Sequence, residues 1–69
     1  MFREPVTSSS IAALGYDPRQ SVLEVEFRSG AVYRYYAVPR DVFSSLRKAS
    51  SKGAFLNRRI RDRFRYARV

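Results

Sequence analysis

The sequence predicts an α+β fold: a three-stranded antiparallel β-meander followed by two C-terminal helices packed on one face. Residues 23–28 alternate between apolar and charged side chains, and residues 31–38 form a β-prone run after a Ser-Gly turn. Apolar residues then recur at helical spacing in the C-terminal part of the chain. A chain of 69 residues suits one small domain, which we assign to residues 8–69 after a loose N-terminal tail, residues 1–7.

The first strand is predicted at residues 11–16, which read IAALGY. Gly15 interrupts the apolar pattern and indicates a β-bulge or the close approach of another backbone segment. Asp17 and Pro18 follow in the order that a type I turn favours. The next strand should therefore run antiparallel to the first.

The hairpin that follows can close in two registers. Its first strand alternates Leu23, Val25 and Phe27 with Glu24, Glu26 and Arg28. A two-residue loop would set Val25 against Arg34. A three-residue loop, Arg28–Gly30 with its glycine in the left-handed conformation, sets Val25 against Tyr33 instead. We predict this longer loop because it pairs apolar residues with each other and sets Glu24 against Arg34.

The predicted register decides which tyrosines face the core, because a slip of one residue would turn every side chain over. Tyr33 and Tyr35 fall on the core side, as packing residues or as residues at its rim. The other face carries Val22, Val32, Arg34 and Tyr36. Aromatic side chains beside arginine can stack on unpaired bases, so Arg34 with Tyr36 is the pair that we predict for stacking.

Two helices are predicted after the hairpin. Pro39 suits the first position of the first helix, and Asp41 in the first turn complements the helix dipole. The apolar stripe of this helix consists of Val42, Phe43, Leu46 and Ala49. Ser51 can then cap the second helix.

The second helix is predicted to face the sheet with Leu56, Ile60 and Phe64, which recur every four residues. Helical geometry then points Arg58, Arg61 and Arg65 away from the core together. Arg59 and Arg63 lie on the opposite flank, and Asp62 can neutralise only one of these charges. The second helix is therefore predicted to present a strongly basic surface.

The net charge of +8 is unevenly distributed along the chain. Residues 1–39 carry four basic and four acidic side chains, whereas residues 40–69 carry ten basic side chains against Asp41 and Asp62. Twelve of the fourteen basic residues are arginines, which make bidentate contacts with phosphates. The segregation favours a polyanionic partner over a charge that serves solubility alone.

The residues that most enzymes rely on are missing, because the chain has no histidine and no cysteine. Glu24 and Glu26 form a carboxylate pair on one strand, but Arg34 and Arg28 are expected beside them, which favours structural ion pairs over a catalytic pair. We predict a non-catalytic protein with no cofactor, no metal site and no small-molecule substrate. No apolar run is long enough for a membrane span and no secretory signal is evident, so a cytoplasmic location is expected.

An ordered set of residues spanning about residues 6–69 resembles the KTSC domain family. The set comprises Ser9-Ser10-Ile11, Gly15-Tyr16-Asp17, Leu23, Val25, Phe27, Gly30, Tyr33, Tyr35, Val38-Pro39, Ala49, Ser51-Lys52-Gly53, Asn57 and Ile60-Arg61. Phe55-Leu56 and Arg65 depart from the usual pattern. The family includes the C-terminal region of some lysyl-tRNA synthetases and small stand-alone bacterial proteins, and the resemblance implies RNA as a ligand without implying catalytic residues.

Charge and resemblance together predict an RNA-binding module for tRNA or structured RNA that acts mainly through phosphate contacts. The predicted contact residues are Lys52, Arg58, Arg61, Arg65 and Arg68, with Arg34 and Tyr36 for stacking. The alternative is a protein-interaction module that docks an acidic partner on a sheet edge or on the basic helix.

Overall fold

The structure, a computed structural model, describes residues 1–69 and is built around a five-stranded antiparallel sheet. In chain order its elements are β1 (Glu4–Pro5), β2 (Ile11–Asp17), β3 (Val22–Phe27), β4 (Val32–Tyr35), α1 (Arg40–Lys48), α2 (Lys52–Phe55), a π-helical segment (Leu56–Ile60) and β5 (Tyr66–Arg68). The strands lie side by side in the order β1-β2-β3-β4-β5, so the chain leaves the sheet after β4, forms its helices and returns to add β5. The α+β class is confirmed.

The predicted hairpin register is confirmed. Val25 lies opposite Tyr33 and Glu24 lies opposite Arg34. The loop has three residues: the Phe27 amide donates to the Ala31 carbonyl at 2.9 Å, and Gly30 adopts a φ of +98°. That conformation is open to glycine and strained for most other residues, which is why the turn forms at this point.

The sheet has two more strands than the sequence predicts, one at each edge. Residues 1–7 are not a loose tail throughout, because Glu4 and Pro5 pair with Leu14 and Ala13 of β2. At the other edge β5 pairs with β4. Both strands are too short to show an alternating pattern, so their pairing depends on the finished sheet rather than on local sequence. Proline is tolerated in β1 because an edge strand leaves one side of its backbone unpaired.

Gly15 marks the close approach that its position predicts. A Cβ atom at Gly15 would lie 2.7 Å from the Phe2 carbonyl oxygen, so the N-terminal segment can cross β2 only over a glycine. The bulge in this strand lies elsewhere, where the pairing with β3 shifts between Ile11 and Ala13.

Helix α1 forms nearly as predicted, with Pro39 as its N-cap rather than its first helical residue. Asp41 lies in the first turn and basic residues lie in the last, which suits the dipole. Ser51 caps α2 as predicted, its Oγ accepting a hydrogen bond from the Ala54 amide at 3.3 Å.

The second helix ends earlier than predicted. After α2 it widens into the π-helical segment, whose last turn is closed by the Arg61 amide donating to the Leu56 carbonyl at 2.8 Å. Phe64 therefore lies in the connection to β5 rather than on a third helical turn, although it still packs against the core. The chain then returns to the sheet and pairs with the edge of β4.

The core lies between the helices and one face of the sheet. Its fully or nearly fully buried members are Ile11, Leu14, Leu23, Val25, Tyr35, Val38, Leu46, Leu56 and Ile60. The Tyr16 hydroxyl donates to the Val38 carbonyl at 2.6 Å and its ring stacks on Phe43, which fixes α1 against β2. Neither helix has the length and apolar character needed to cross a membrane.

Candidate nucleic-acid interface

The face of the sheet opposite the helices, here called the outer face, carries a network of ion pairs. Glu24 is only 4% exposed and lies between two arginines. The Arg34 Nε donates to Glu24 Oε2 at 2.7 Å, and the Arg3 Nε lies 3.4 Å from Glu24 Oε1. Arg3 also reaches Glu26 at 3.6 Å. The hydrogen bond and charge of Glu24 raise the pKa of Arg34, so this guanidinium is held in its charged form.

These contacts make the glutamate pair part of an ionic network, the interpretation that the sequence favours. Glu24 pairs with Arg34 as predicted, but Glu26 pairs with Arg3 and not with Arg28. The Arg28 Nε instead donates to the Ser8 carbonyl at 2.7 Å. Neither glutamate lines any of the four clefts of the molecule.

The predicted stacking pair, Arg34 and Tyr36, does come together on the outer face. Both line a shallow cleft that also contains Phe2, and Tyr36 is 39% exposed. The guanidinium of Arg34 is nevertheless engaged by Glu24, so it is less available to a ligand than the sequence suggests.

The side chain of Lys52 is engaged within the protein rather than free to contact a ligand. Its Nζ donates to the Ala49 carbonyl at 3.0 Å, and the residue is half-buried. This contact satisfies a carbonyl at the end of α1, a structural role that a lysine commonly fills.

The remaining four predicted contact residues, here called the unpaired arginines, are all exposed and none forms an ion pair. They are Arg58, Arg61, Arg65 and Arg68. The prediction that three of them share one helix face is wrong for Arg65, which lies beyond the helix because the π-helical segment ends at Ile60. Arg68 lies in β5, opposite Tyr33.

The other two arginines of this region face α1. The guanidinium of Arg59 lies over the Phe55 ring, 5.8 Å from its centroid. Arg59 and Arg63 line a groove together with Asp41. Their placement on a flank separate from Arg61 agrees with the predicted division of the basic residues.

Sequence reasoning missed a cleft between the β4–β5 edge and the π-helical segment, here called the aromatic cleft. Its volume is about 260 Å³, and its lining consists of Phe27, Tyr33, Tyr35, Leu56, Asn57, Arg61 and Tyr66. Tyr66 is 57% exposed, and its ring centroid lies 5.7 Å from those of Tyr33 and Tyr35. Burial raises the pKa of Tyr35, and the nearby charge of Arg61 partly opposes that rise.

Tyr33 and Tyr35 lie at the boundary between the core and the aromatic cleft. Tyr35 is buried and Tyr33 is half-buried, and both contribute to the wall of the cleft. No local signal points to the cleft, because Tyr66-Ala67-Arg68 is only three residues long and too short to show the alternation of a strand.

Comparison with known proteins gives matches over nearly the whole chain. The KTSC domain family model matches residues 7–64. An uncharacterised protein of Stutzerimonas stutzeri is 49% identical over 70 residues, which cover 100% of this chain and 99% of that protein. The crystal structure of a KTSC domain protein from Yersinia pestis superposes with a TM-score of 0.96 at 37% identity, covering 99% of this chain and 96% of that one.

A third relative is far longer than this chain. A lysine–tRNA ligase of a Nostoc species is 38% identical over 61 residues, which cover 88% of this chain but only 11% of the ligase. The chain therefore corresponds to a small part of that enzyme. The family match, the full-length relative and the superposition agree, and the chain belongs to the KTSC domain family.

Proposed function

We propose that this protein binds RNA, mainly through contacts between arginine side chains and phosphates. The observation that carries the proposal is that Arg58, Arg61, Arg65 and Arg68 are exposed and form no ion pair. Elsewhere in the fold, arginines do form ion pairs with glutamates. Exposed guanidinium groups without carboxylate partners keep their full capacity for phosphate.

Similarity to part of a lysine–tRNA ligase supports RNA, including tRNA, as the class of ligand. That enzyme is named for an activity on tRNA, and the matching segment makes up only 11% of it. A small basic domain fused to such an enzyme would add affinity for the RNA backbone rather than chemistry. The same role suits a stand-alone copy.

The placement of the side chains ranks the predicted contact residues. Arg61 lines the aromatic cleft, Arg68 lies opposite Tyr33 of its lining, and Arg58 is exposed on the π-helical segment. Lys52 and Arg34 are engaged within the protein, so we expect them to contribute less. Phosphate contacts of this kind give affinity with little sequence selectivity.

The test is fluorescence anisotropy with labelled tRNA, single-stranded RNA and duplex DNA at about 50 and 200 mM salt. Contacts with about five phosphates predict a log–log salt slope near −3.5 on single strands and near −4.5 on duplex DNA. Tighter binding to RNA than to DNA at the higher salt supports the proposal. Weak, equal binding that disappears at 200 mM salt contradicts it.

A pair of double variants locates the contacts. The change Arg58→Ala with Arg61→Ala should weaken RNA binding at least tenfold and reduce the single-strand slope by about 1.4, since each lost phosphate contact removes about 0.7. The matched control is Arg19→Ala with Arg40→Ala, which removes the same charge from exposed positions elsewhere. Equal losses in the two double variants would mean that net charge, not this surface, governs binding.

The alternative function is docking of an acidic protein partner, and one observation favours it. β5 is an edge strand whose three residues are all exposed, and its outer edge can accept another strand. Binding of this kind relies on backbone hydrogen bonds, so it should survive about 500 mM salt, at which phosphate contacts are strongly weakened. Retention of an acidic peptide at that salt, together with failure to bind RNA, would establish the alternative.

A further inference from the structure

We infer that the aromatic cleft is a binding subsite for one unpaired nucleobase of RNA, with Tyr66 as its stacking platform. This inference rests on the proposed function, because it names which part of an RNA the protein holds besides the phosphates. The sequence points instead to Arg34 and Tyr36 on the outer face for this role. The cleft meets the physical requirements better.

The first requirement is an aromatic ring with an accessible face. Tyr66 is 57% exposed, and its neighbours Tyr33 and Tyr35 meet it at interplanar angles of 45° and 40°. Neither neighbour stacks flat on Tyr66, and more than half of the residue is exposed, so part of its ring is accessible to a base. Base stacking on such a ring is tolerant of sequence, because every base has a π face.

The second requirement is a cation close enough to bind the phosphate of the same nucleotide. Arg61 lines the cleft, and it is close enough to Tyr35 for its positive charge to oppose the rise that burial causes in the pKa of that tyrosine. Arg68 is two residues from Tyr66 on β5, so strand alternation places both on the same face of the sheet. No acidic residue lines the cleft.

The third requirement is the right size and polarity. A volume of about 260 Å³ lies just below the range of drug-sized ligand pockets, which suits a single base rather than several. Asn57 supplies an amide that can donate to and accept from a base edge. An acidic peptide would satisfy the arginines but would leave the ring face of Tyr66 unused.

The experiment uses a single-stranded RNA oligomer that contains 2-aminopurine, alongside a blunt RNA duplex of the same length. Binding to the parent protein should quench the fluorescence of 2-aminopurine, because stacking on an aromatic ring quenches this base. Tyr66→Ala should weaken single-strand binding about tenfold and leave duplex binding unchanged. Tyr66→Phe should retain both the affinity and the quenching, since the ring is kept.

Tyr36→Ala tests the competing stacking site, since it removes an exposed tyrosine from the outer face. Its effect on single-strand binding should be much smaller than that of Tyr66→Ala, and an equal loss would overturn the inference. Thermal unfolding of each variant checks that the fold persists. If Tyr66→Ala does not fold, the quenching in the parent protein decides alone, and unchanged fluorescence at every labelled position overturns the inference.

The failures of the two proposals give different results. If the parent protein binds neither the single strand nor the duplex, the RNA-binding function is wrong and the subsite falls with it. If the parent protein binds RNA but Tyr66→Ala affects single strand and duplex equally, the function stands and the subsite is wrong. Displacement of the RNA by an acidic peptide without any prior quenching would likewise contradict the subsite and favour a protein partner.

Discussion

Arginines on the outer face of the sheet have surroundings opposite to those of arginines after the second helix. Arg34 lies 2.7 Å from a glutamate that is almost completely buried, and Arg3 holds the other oxygen of the same carboxylate. Arg61 has no carboxylate within 4.0 Å and lies beside tyrosines instead. One side-chain type therefore serves the fold in one region and remains available to a ligand in the other.

Basic residues can serve two roles, to stabilise the fold or to bind a ligand, and this difference separates them. The first 39 residues have no net charge, and two of their four arginines, Arg3 and Arg34, stabilise the fold by neutralising the buried carboxylate of Glu24. The excess of +8 lies in the remaining residues, where acidic partners are scarce. Net charge alone would not distinguish these roles, whereas the ion pairs of Arg3 and Arg34 with Glu24 identify two arginines that serve the fold. The comparison therefore identifies which arginines can be removed without harm to the fold.

The largest expected effect is that of Glu24→Lys on stability. A lysine at this buried position would lie between Arg3 and Arg34, so it adds like-charge repulsion to the loss of both ion pairs. We expect a loss of about 3 kcal/mol in the free energy of unfolding, part of the cost being screened because the two arginines are partly exposed. Urea denaturation followed by circular dichroism measures it.

Glu26→Lys is the matched control for that change. Glu26 lies on the same strand and also contacts Arg3, but its side chain is 37% exposed. Its replacement should cost less than about 1 kcal/mol. Equal losses in the two variants would mean that burial of Glu24 adds nothing to the network.

The next effect is that of Gly15→Ala, which tests how Arg3 reaches the outer face. The added Cβ would lie 2.7 Å from a backbone oxygen of the N-terminal segment, which cannot move without displacing β1. We expect a loss of about 1 to 2 kcal/mol, measured by the same denaturation. Gly53→Ala is its counterpart, because there the close atom is the Ser10 hydroxyl, which can rotate away. Alanine also favours a helix, so Gly53→Ala should be nearly neutral, and an equal loss at both glycines would contradict this account.

The sequence predicts the centre of the molecule better than its edges. The register of β3 and β4 follows from alternation and from Gly30, because both are local signals that a single hairpin must satisfy. The caps of the helices are equally local. By contrast, β1 and β5 comprise two and three residues and exist only because a completed sheet offers them an edge. No local pattern encodes such a pairing.

The candidate site also has some features that local sequence predicts and others that it does not. Exposure of Arg58 and Arg61 is predictable from helical spacing, because Leu56 and Ile60 must be buried. The position of Arg65 is not, since it depends on where the helix widens and ends. The aromatic cleft needs Tyr66 beside the β4 tyrosines, which requires knowledge of β5. The sequence therefore predicts the exposed arginines and misses the cleft that one of them, Arg61, lines.

A smaller effect concerns pH and the tyrosine that lies under the cleft. Burial raises the pKa of Tyr35 above its ordinary value of about 10, so the folded state favours the neutral phenol. That contribution to stability is fully present below pH 10 and is lost as the pH rises through the folded pKa. Thermal unfolding between about pH 8 and 11 should therefore show a steeper loss in the parent than in Tyr35→Phe. The exposed Tyr36→Phe should behave like the parent, and a flat profile in the parent would contradict the assignment.

The smallest expected effect on stability is that of the unpaired arginines themselves. Arg61→Gln and Arg68→Gln remove charges that contact no carboxylate, so the free energy of unfolding should change by less than about 0.5 kcal/mol. At low salt the change should be slightly stabilising, because both substitutions relieve repulsion in a region with an excess of positive charge. Denaturation at about 20 and 500 mM salt tests this, with Arg34→Gln as the matched loss of a paired arginine. A destabilisation by Arg61→Gln as large as that by Arg34→Gln would mean that the arginines near the cleft hold the fold together, and the distinction between structural and available arginines would fail.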